Sequence, residues 1–160
     1  GPHQETAPRE PRRQVTPALF LLLLLWLSVA AEGEEPSLCV VINPANTVSE
    51  ITLKETQTIF LGDKKFWPGN HRIKLLMSDL DSETGKTVLS RIYGLSKEKY
   101  LGYWRKMVYR GEVAAEPEIV ASDSELLRVV GREPYAIGWF YGDDTGSDKV
   151  KIIRVLPGIR

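Results

Sequence analysis

Five residues that can bind an anion lie close together in the middle of the chain: Ser82, Thr84, Gly85, Lys86 and Thr87. They follow an apolar run and precede a segment with helical spacing. A helix start offers free backbone N–H groups, to which hydroxyl groups and a lysine add further donors and a positive charge. This combination predicts a site for an oxyanion such as phosphate. The alternative is that Ser82 only caps a helix and the other side chains are solvated.

Known catalytic motifs are absent from this sequence. Gly85-Lys86-Thr87 has the ending of a P-loop, but the glycine expected five residues before Gly85 is Leu80. Asp79 and Asp81 are more typical of a capped or solvated turn than of an acid–base pair. With one cysteine and two histidines, the chain offers no zinc-type cluster. We therefore predict no enzymatic activity, no metal and no cofactor.

The N-terminal segment has the pattern of a secretory signal peptide. Three arginines precede the apolar run of residues 18–31, which is short for a membrane-spanning helix and ends in small residues. We predict a signal peptide over residues 1–31, with an uncleaved membrane anchor as the alternative. A linker would follow at 32–37, a domain at 38–156 and a tail at 157–160. The protein would then be periplasmic or secreted.

The remaining pattern predicts one α/β domain. Its 21 basic and 21 acidic residues balance, which argues against a nucleic-acid partner. Capping boxes begin at Thr52 and Ser122. We expect a mixed, partly parallel sheet of about four strands with helices on both faces, the first two strands forming a right-handed βαβ unit. The predicted strands are 38–42, 73–77, 135–141 and 150–156, and the predicted helices are 53–61, 85–95, 97–110 and 123–131.

Several apolar residues are predicted to serve packing rather than ligand binding. Cys39 lies in a short β-branched run, and Trp67 precedes a Pro-Gly turn. A stripe at helical spacing indicates a core-facing helix. Its members are Tyr100, Tyr103, Trp104, Met107 and Val108.

A series of short motifs resembles a known family. The motifs are Asn43-Pro-x-Asn46, Ile59–Gly62 before Trp67-Pro68-Gly69, Tyr93–Ser96 before Tyr103-Trp104, and Ala136–Gly138. In this order they are similar to small exported proteins with a phosphate-binding-protein-like domain, and to part of the periplasmic phosphate-binding component of ABC transporters. The resemblance implies a single periplasmic-binding-protein-like (type II) lobe over most of residues 38–156. It also implies phosphate or a similar oxyanion as ligand, and a membrane transporter or envelope protein as partner.

The resemblance also assigns positions within the family's phosphate clamp. Ser82 and Thr84 match the clamp's Ser-Gly-Thr sequence, Glu83 stands at the middle glycine, and Ser78 stands at the family's arginine. An arginine gives bidentate bonds to phosphate that a serine cannot replace. Two functions follow: an exported oxyanion-binding protein linked to phosphate uptake or sensing, or an envelope interaction protein that keeps the fold without a ligand.

Overall fold

The computed structural model describes Gly1, residues 37–142 and residues 145–156. The strands are β1 (Leu38–Ile42), β2 (Glu50–Thr52), β3 (Phe66–Trp67), β4 (His71–Arg72), β5 (Lys74–Ser78), β6 (Glu118–Val120), β7 (Ala136–Tyr141) and β8 (Lys151–Leu156). The helices are α1 (Leu53–Phe60), α2 (Glu83–Val88), α3 (Lys97–Tyr109) and α4 (Asp123–Arg132), and a π-helical turn (Leu89–Tyr93) continues α2. Apart from Gly1 and Ser37, the predicted signal peptide, linker and tail lie outside the described residues.

Six of these strands form one mixed sheet in the order β2-β8-β1-β7-β5-β6, and β3 and β4 form a separate two-stranded ribbon. The predicted α/β class and partly parallel sheet are confirmed, but the described sheet has six strands rather than about four. The missed strands β2 and β6 have three residues each and lie at the two edges of the sheet. Runs this short show no periodicity by which a strand can be recognised.

The predicted βαβ unit is wrong. β1 pairs antiparallel with β7 on one edge and with β8 on the other, so neither edge is left for β5. β5 instead runs parallel to β7 and β6, which makes it antiparallel to β1. Two successive apolar strands joined by a helix do not specify their neighbours, because strands that come much later in the chain compete for the same edges.

Helices cover both faces of the sheet, as predicted. Val40 and Ile42 point toward the face that packs against α1, α2 and α3, and the intervening Val41 points toward α4. This alternation follows from the two-residue period of a strand. Leu126 and Val130 are the fully buried residues of α4. The chain therefore has two apolar layers, one on each side of the sheet.

The local signals of the sequence place most helix ends correctly. Thr52 caps α1 by accepting the Glu55 N–H (3.1 Å), but the Glu55 carboxylate forms an ion pair with Lys64 instead of completing the capping box. Ser96 caps α3 and Ser122 caps α4. The helix predicted over 85–95 begins two residues earlier, changes to a π-helical turn after Val88 and ends at a left-handed Gly94.

The predicted core assignments hold for most positions. Tyr100, Trp104 and Met107 are buried, whereas Val108 is 37% exposed, so the stripe on α3 is narrower than predicted. Trp67 is buried and donates its indole N–H to the Tyr135 carbonyl (3.1 Å). Cys39 is half-buried in β1.

Candidate functional site

The junction between β5 and α2 is a tight turn closed by hydrogen bonds. The Ser82 hydroxyl accepts the Gly85 N–H (3.0 Å) and donates to the Asp79 carbonyl (2.6 Å). Its backbone is extended (φ −70°, ψ 166°), as an N-cap requires. Ser82 therefore caps α2 as the alternative expected, whereas Thr84, which that alternative expected to be solvated, is 2% exposed. The single proton of the Ser82 hydroxyl is already used within the turn.

Gly85 allows α2 to approach the turn that precedes it. A Cβ atom at this position would lie 2.1 Å from the Asp79 carbonyl oxygen, a distance that real Cβ atoms essentially never show. Asp79 also accepts the Asp81 N–H through its side chain (2.9 Å). Close packing of two backbone segments thus accounts for the glycine, independently of any ligand.

A hydrogen-bonded cluster lies beside this turn and joins three elements of the fold. The Ser78 hydroxyl, at the end of β5, donates to one carboxylate oxygen of Asp123 (2.5 Å). The Thr84 hydroxyl, in the first turn of α2, donates to the other (2.6 Å). Ser78 and Thr84 are 1% and 2% exposed, while Asp123 is half-buried. Each oxygen of one carboxylate therefore holds one buried hydroxyl.

The sheet explains why these residues meet. β5 and β6 are parallel neighbours, with Ser78 in register with Val120, and a helix begins shortly after each strand. The ends of parallel strands meet at one edge of a sheet, where ligands of open α/β folds commonly bind. Asp123 is the first residue of α4, so its carboxylate also lies at the positive end of that helix.

Sequence reasoning missed Asp123 because it stood inside the predicted capping box of α4 and was interpreted as part of a helix start. The signal that could have found it is the short strand Glu118–Val120, which lies outside the four predicted strands. A strand at that position, parallel to β5, places Asp123 beside Ser78 and Thr84.

The other predicted site residues lie outside this cluster. Lys86 is exposed and Thr87 is half-buried. Among the described residues, no acceptor takes the backbone N–H of Glu83 or Thr84, so the two N–H groups at the start of α2 remain available as donors. Glu83 itself is exposed.

One ion pair borders the turn on the solvent side. Lys97, at the start of α3, binds the carboxylate of Asp81. This hydrogen bond and the accompanying charge lower the pKa of Asp81 and raise the pKa of Lys97. In the described part of the chain, no lysine or arginine forms an ion pair with Asp123.

A separate cavity of about 390 Å³ lies at the other end of β5. Ile73, Leu75 and Trp104 give it an apolar lining, and Lys65 and Arg72 lie at its border. It shares no lining residue with the Ser78–Thr84–Asp123 cluster.

In residues 37–142 and 145–156, no helix is long and apolar enough to cross a membrane. The same residues contain no group of three or more His, Cys, Asp or Glu side chains placed to hold a metal ion.

Several solved structures have a fold similar to that of the described domain. No family model and no curated protein sequence matches this chain. An ABC-type phosphate transport receptor from Vibrio cholerae superposes with a TM-score of 0.58 at 20% identity, over 75% of this chain and 46% of the receptor. PstS from Borrelia burgdorferi does so with a TM-score of 0.56 at 14% identity, over 75% and 47%.

A third similar structure comes from Clostridium perfringens. It is assigned as a phosphate ABC transporter substrate-binding protein, contains bound phosphate, and superposes with a TM-score of 0.59 at 17% identity over 75% of this chain and 45% of its own. The chain spans less than half the length of these three proteins. The predicted resemblance is thus confirmed for the fold: the described domain has the fold of a single lobe of these receptors.

Proposed function

We propose that this chain is an exported, non-catalytic solute-binding domain that binds phosphate or a similar oxyanion at the sheet edge where α2 and α4 begin. The observation that supports it most is the cluster at this edge: two buried hydroxyls, Ser78 and Thr84, converge there in a fold shared with phosphate-binding receptors. A desolvated oxyanion needs several convergent donors because it loses its hydration shell on binding.

Each predicted site residue has a role in this proposal. Thr84 supplies its hydroxyl and its backbone N–H, and the N–H of Glu83 lies next to it in the chain. Ser82 fixes the turn by capping α2, and Gly85 lets α2 pack against that turn. Lys86 and Thr87, in the next positions of α2, add a positive charge and a hydroxyl near the bound anion.

The proposed site is open on one side because the described domain corresponds to one lobe. In a two-lobed binding protein, the lobes close on the ligand and exclude water. We therefore propose that affinity is low unless a second lobe or a partner, such as a membrane transporter or an envelope protein, covers the site. The predicted signal peptide supports a periplasmic or secreted location for such an encounter.

Isothermal titration of the exported form of the chain with phosphate and sulfate tests this function. Thr84→Val removes the central hydroxyl while keeping the shape of the side chain. Ser90→Ala is the matched control, because the Ser90 hydroxyl donates to the Thr87 carbonyl on the exposed side of the helix. We expect saturable heat for the unmodified protein and for Ser90→Ala, and a clear loss for Thr84→Val. No heat at millimolar anion, or equal heat in all three proteins, would contradict the proposal.

A second candidate function is an envelope interaction protein that retains the fold without a ligand. The specific observation in its favour is that Asp123 already accepts both buried hydroxyls, so the cluster is satisfied without an anion. Absence of anion binding, together with specific cross-linking to one envelope protein through the α2–α4 edge, would support this candidate. Clear anion binding without any cross-link would eliminate it.

A further inference from the structure

We infer that Asp123 is an internal occupant of the proposed oxyanion site, and that its carboxylate competes with any external anion for the same two hydroxyls. The inference rests on the proposed function, because it concerns the regulation of that site. Its basis is the pair of contacts from Ser78 and Thr84, one to each oxygen of the carboxylate.

The hydrogen-bond inventory shows why the carboxylate and an external anion exclude each other. A serine or threonine hydroxyl has one proton to donate, and an ionised carboxylate can only accept. Both protons of the cluster are given to Asp123. An incoming oxyanion therefore meets hydroxyl lone pairs and a like charge, and it gains these donors only when Asp123 leaves.

Burial makes this internal contact strong. Ser78 and Thr84 are almost completely excluded from solvent, so water competes little for their protons. Hydrogen bonds to a charged acceptor are stronger than those between neutral groups. The Asp123 carboxylate thus satisfies two buried hydroxyls that would otherwise need a ligand or water.

The position of Asp123 also allows it to leave without unfolding α4. It is half-buried at the first position of the helix, and the cap of α4 is made by Ser122, whose hydroxyl accepts the Glu125 N–H (3.2 Å). A change of side-chain rotamer would carry the carboxylate toward solvent while this cap remains. The site is therefore closed by the chain itself and opens when the Asp123 side chain is displaced.

The test compares three proteins, the exported form of the chain and two variants of it, by calorimetric titration with inorganic phosphate and with sulfate. Asp123→Asn removes the charge at constant shape. Glu125→Gln is the matched control, because it removes a charge from the same first turn of α4 but contacts neither hydroxyl. Unit charges about 4 Å apart repel strongly enough that we expect Asp123→Asn to bind both anions at least about tenfold more tightly than the unmodified protein. Glu125→Gln should change affinity by less than about twofold, since the Glu125 carboxylate is half-buried and already paired with Arg128 rather than with either hydroxyl.

The outcomes separate this inference from the proposed function. Binding by Asp123→Asn alone supports the internal occupant and shows that the unmodified chain is not an anion receptor. Binding by both proteins with the tighter constant for Asp123→Asn supports both proposals. Equal or weaker binding by Asp123→Asn overturns the inference, and absence of binding by either protein overturns both. If circular dichroism shows that Asp123→Asn is unfolded, Asp123→Ser replaces it, because serine keeps an acceptor oxygen without a charge.

Discussion

The hydrogen bond between Thr84 and Asp123 predicts a measurable coupling between these two residues in the free energy of unfolding. Thr84→Val removes the hydroxyl and keeps the branched shape. Because the side chain is 2% exposed and its acceptor is a carboxylate, we expect a loss of about 1.5 to 3 kcal/mol. Asp123→Ala removes the acceptor of two buried hydroxyls at once, and should cost about 3 to 5 kcal/mol, since both are left without a partner.

The double variant should cost less than the sum of the two single variants. In the absence of the carboxylate, Thr84→Val removes an unsatisfied buried hydroxyl, which is favourable. The expected coupling energy is about 1 to 2 kcal/mol. Urea unfolding followed by circular dichroism and by tryptophan fluorescence measures it, provided that the slope with denaturant is the same in all four proteins.

Glu125→Gln is the control for the charge at the start of α4. The changes in the free energy of unfolding caused by Glu125→Gln and by Thr84→Val should add in the double variant. Additivity within about 0.5 kcal/mol for Thr84 and Asp123 themselves would refute the hydrogen bond as an energetic contact. A Ser78→Ala cycle with Asp123→Ala gives an independent second estimate, because Ser78 bonds the other carboxylate oxygen.

Three further predictions follow from packing and charge. Gly85→Ala should cost at least about 2 kcal/mol in urea unfolding, because the new Cβ meets a backbone carbonyl at 2.1 Å. Gly102→Ala should instead gain up to about 1 kcal/mol, because Gly102 is an exposed position of α3 where a new Cβ meets no side chain or other segment within 4 Å. Equal effects of the two substitutions would be inconsistent with this packing. Leu126→Ala, at a fully buried position, should cost about 3 to 5 kcal/mol in the same assay, and a loss below about 1 kcal/mol would mean that the layer between α4 and the sheet is not formed. The lowered pKa of Asp81 means that its pairing with Lys97 stabilises the fold above the ordinary carboxyl pKa of 3.8, and that this stabilisation is lost as the pH falls through the lowered value. Thermal unfolding between pH 7 and pH 2 should therefore show a smaller acid-induced loss of stability for Asp81→Asn than for the unmodified protein. An identical pH profile for the two proteins would contradict the pairing.

Local sequence signals predicted much of the secondary structure. The apolar run at 38–42 forms β1, and Thr52, Ser96 and Ser122 cap helices as their spacing indicates. Each of these features depends on interactions between residues that are three or four positions apart, or on the alternation within one strand. Such interactions can be identified without knowing which segments become neighbours.

The order of the sheet and the identity of the site partner could not be predicted in the same way. Whether β1 pairs with β5 or with β7 depends on contacts between segments about 100 residues apart in the chain. A short apolar run does not by itself specify which distant strand it pairs with. The edge strand β6 has three residues, which is too few for a periodic signal, and without it nothing placed Asp123 near the β5–α2 junction.

The sequence by itself determined the turn at residues 78–87, because its serine cap, its glycine and its hydroxyl residues follow local rules of helix starts. Only the tertiary structure decided what these hydroxyls bind, since their acceptor comes from α4, 45 positions after Ser78 and 39 after Thr84. The physical reason is that a buried hydroxyl must donate to some acceptor, but the sequence around the hydroxyl does not specify which distant carboxylate the fold places within hydrogen-bond distance.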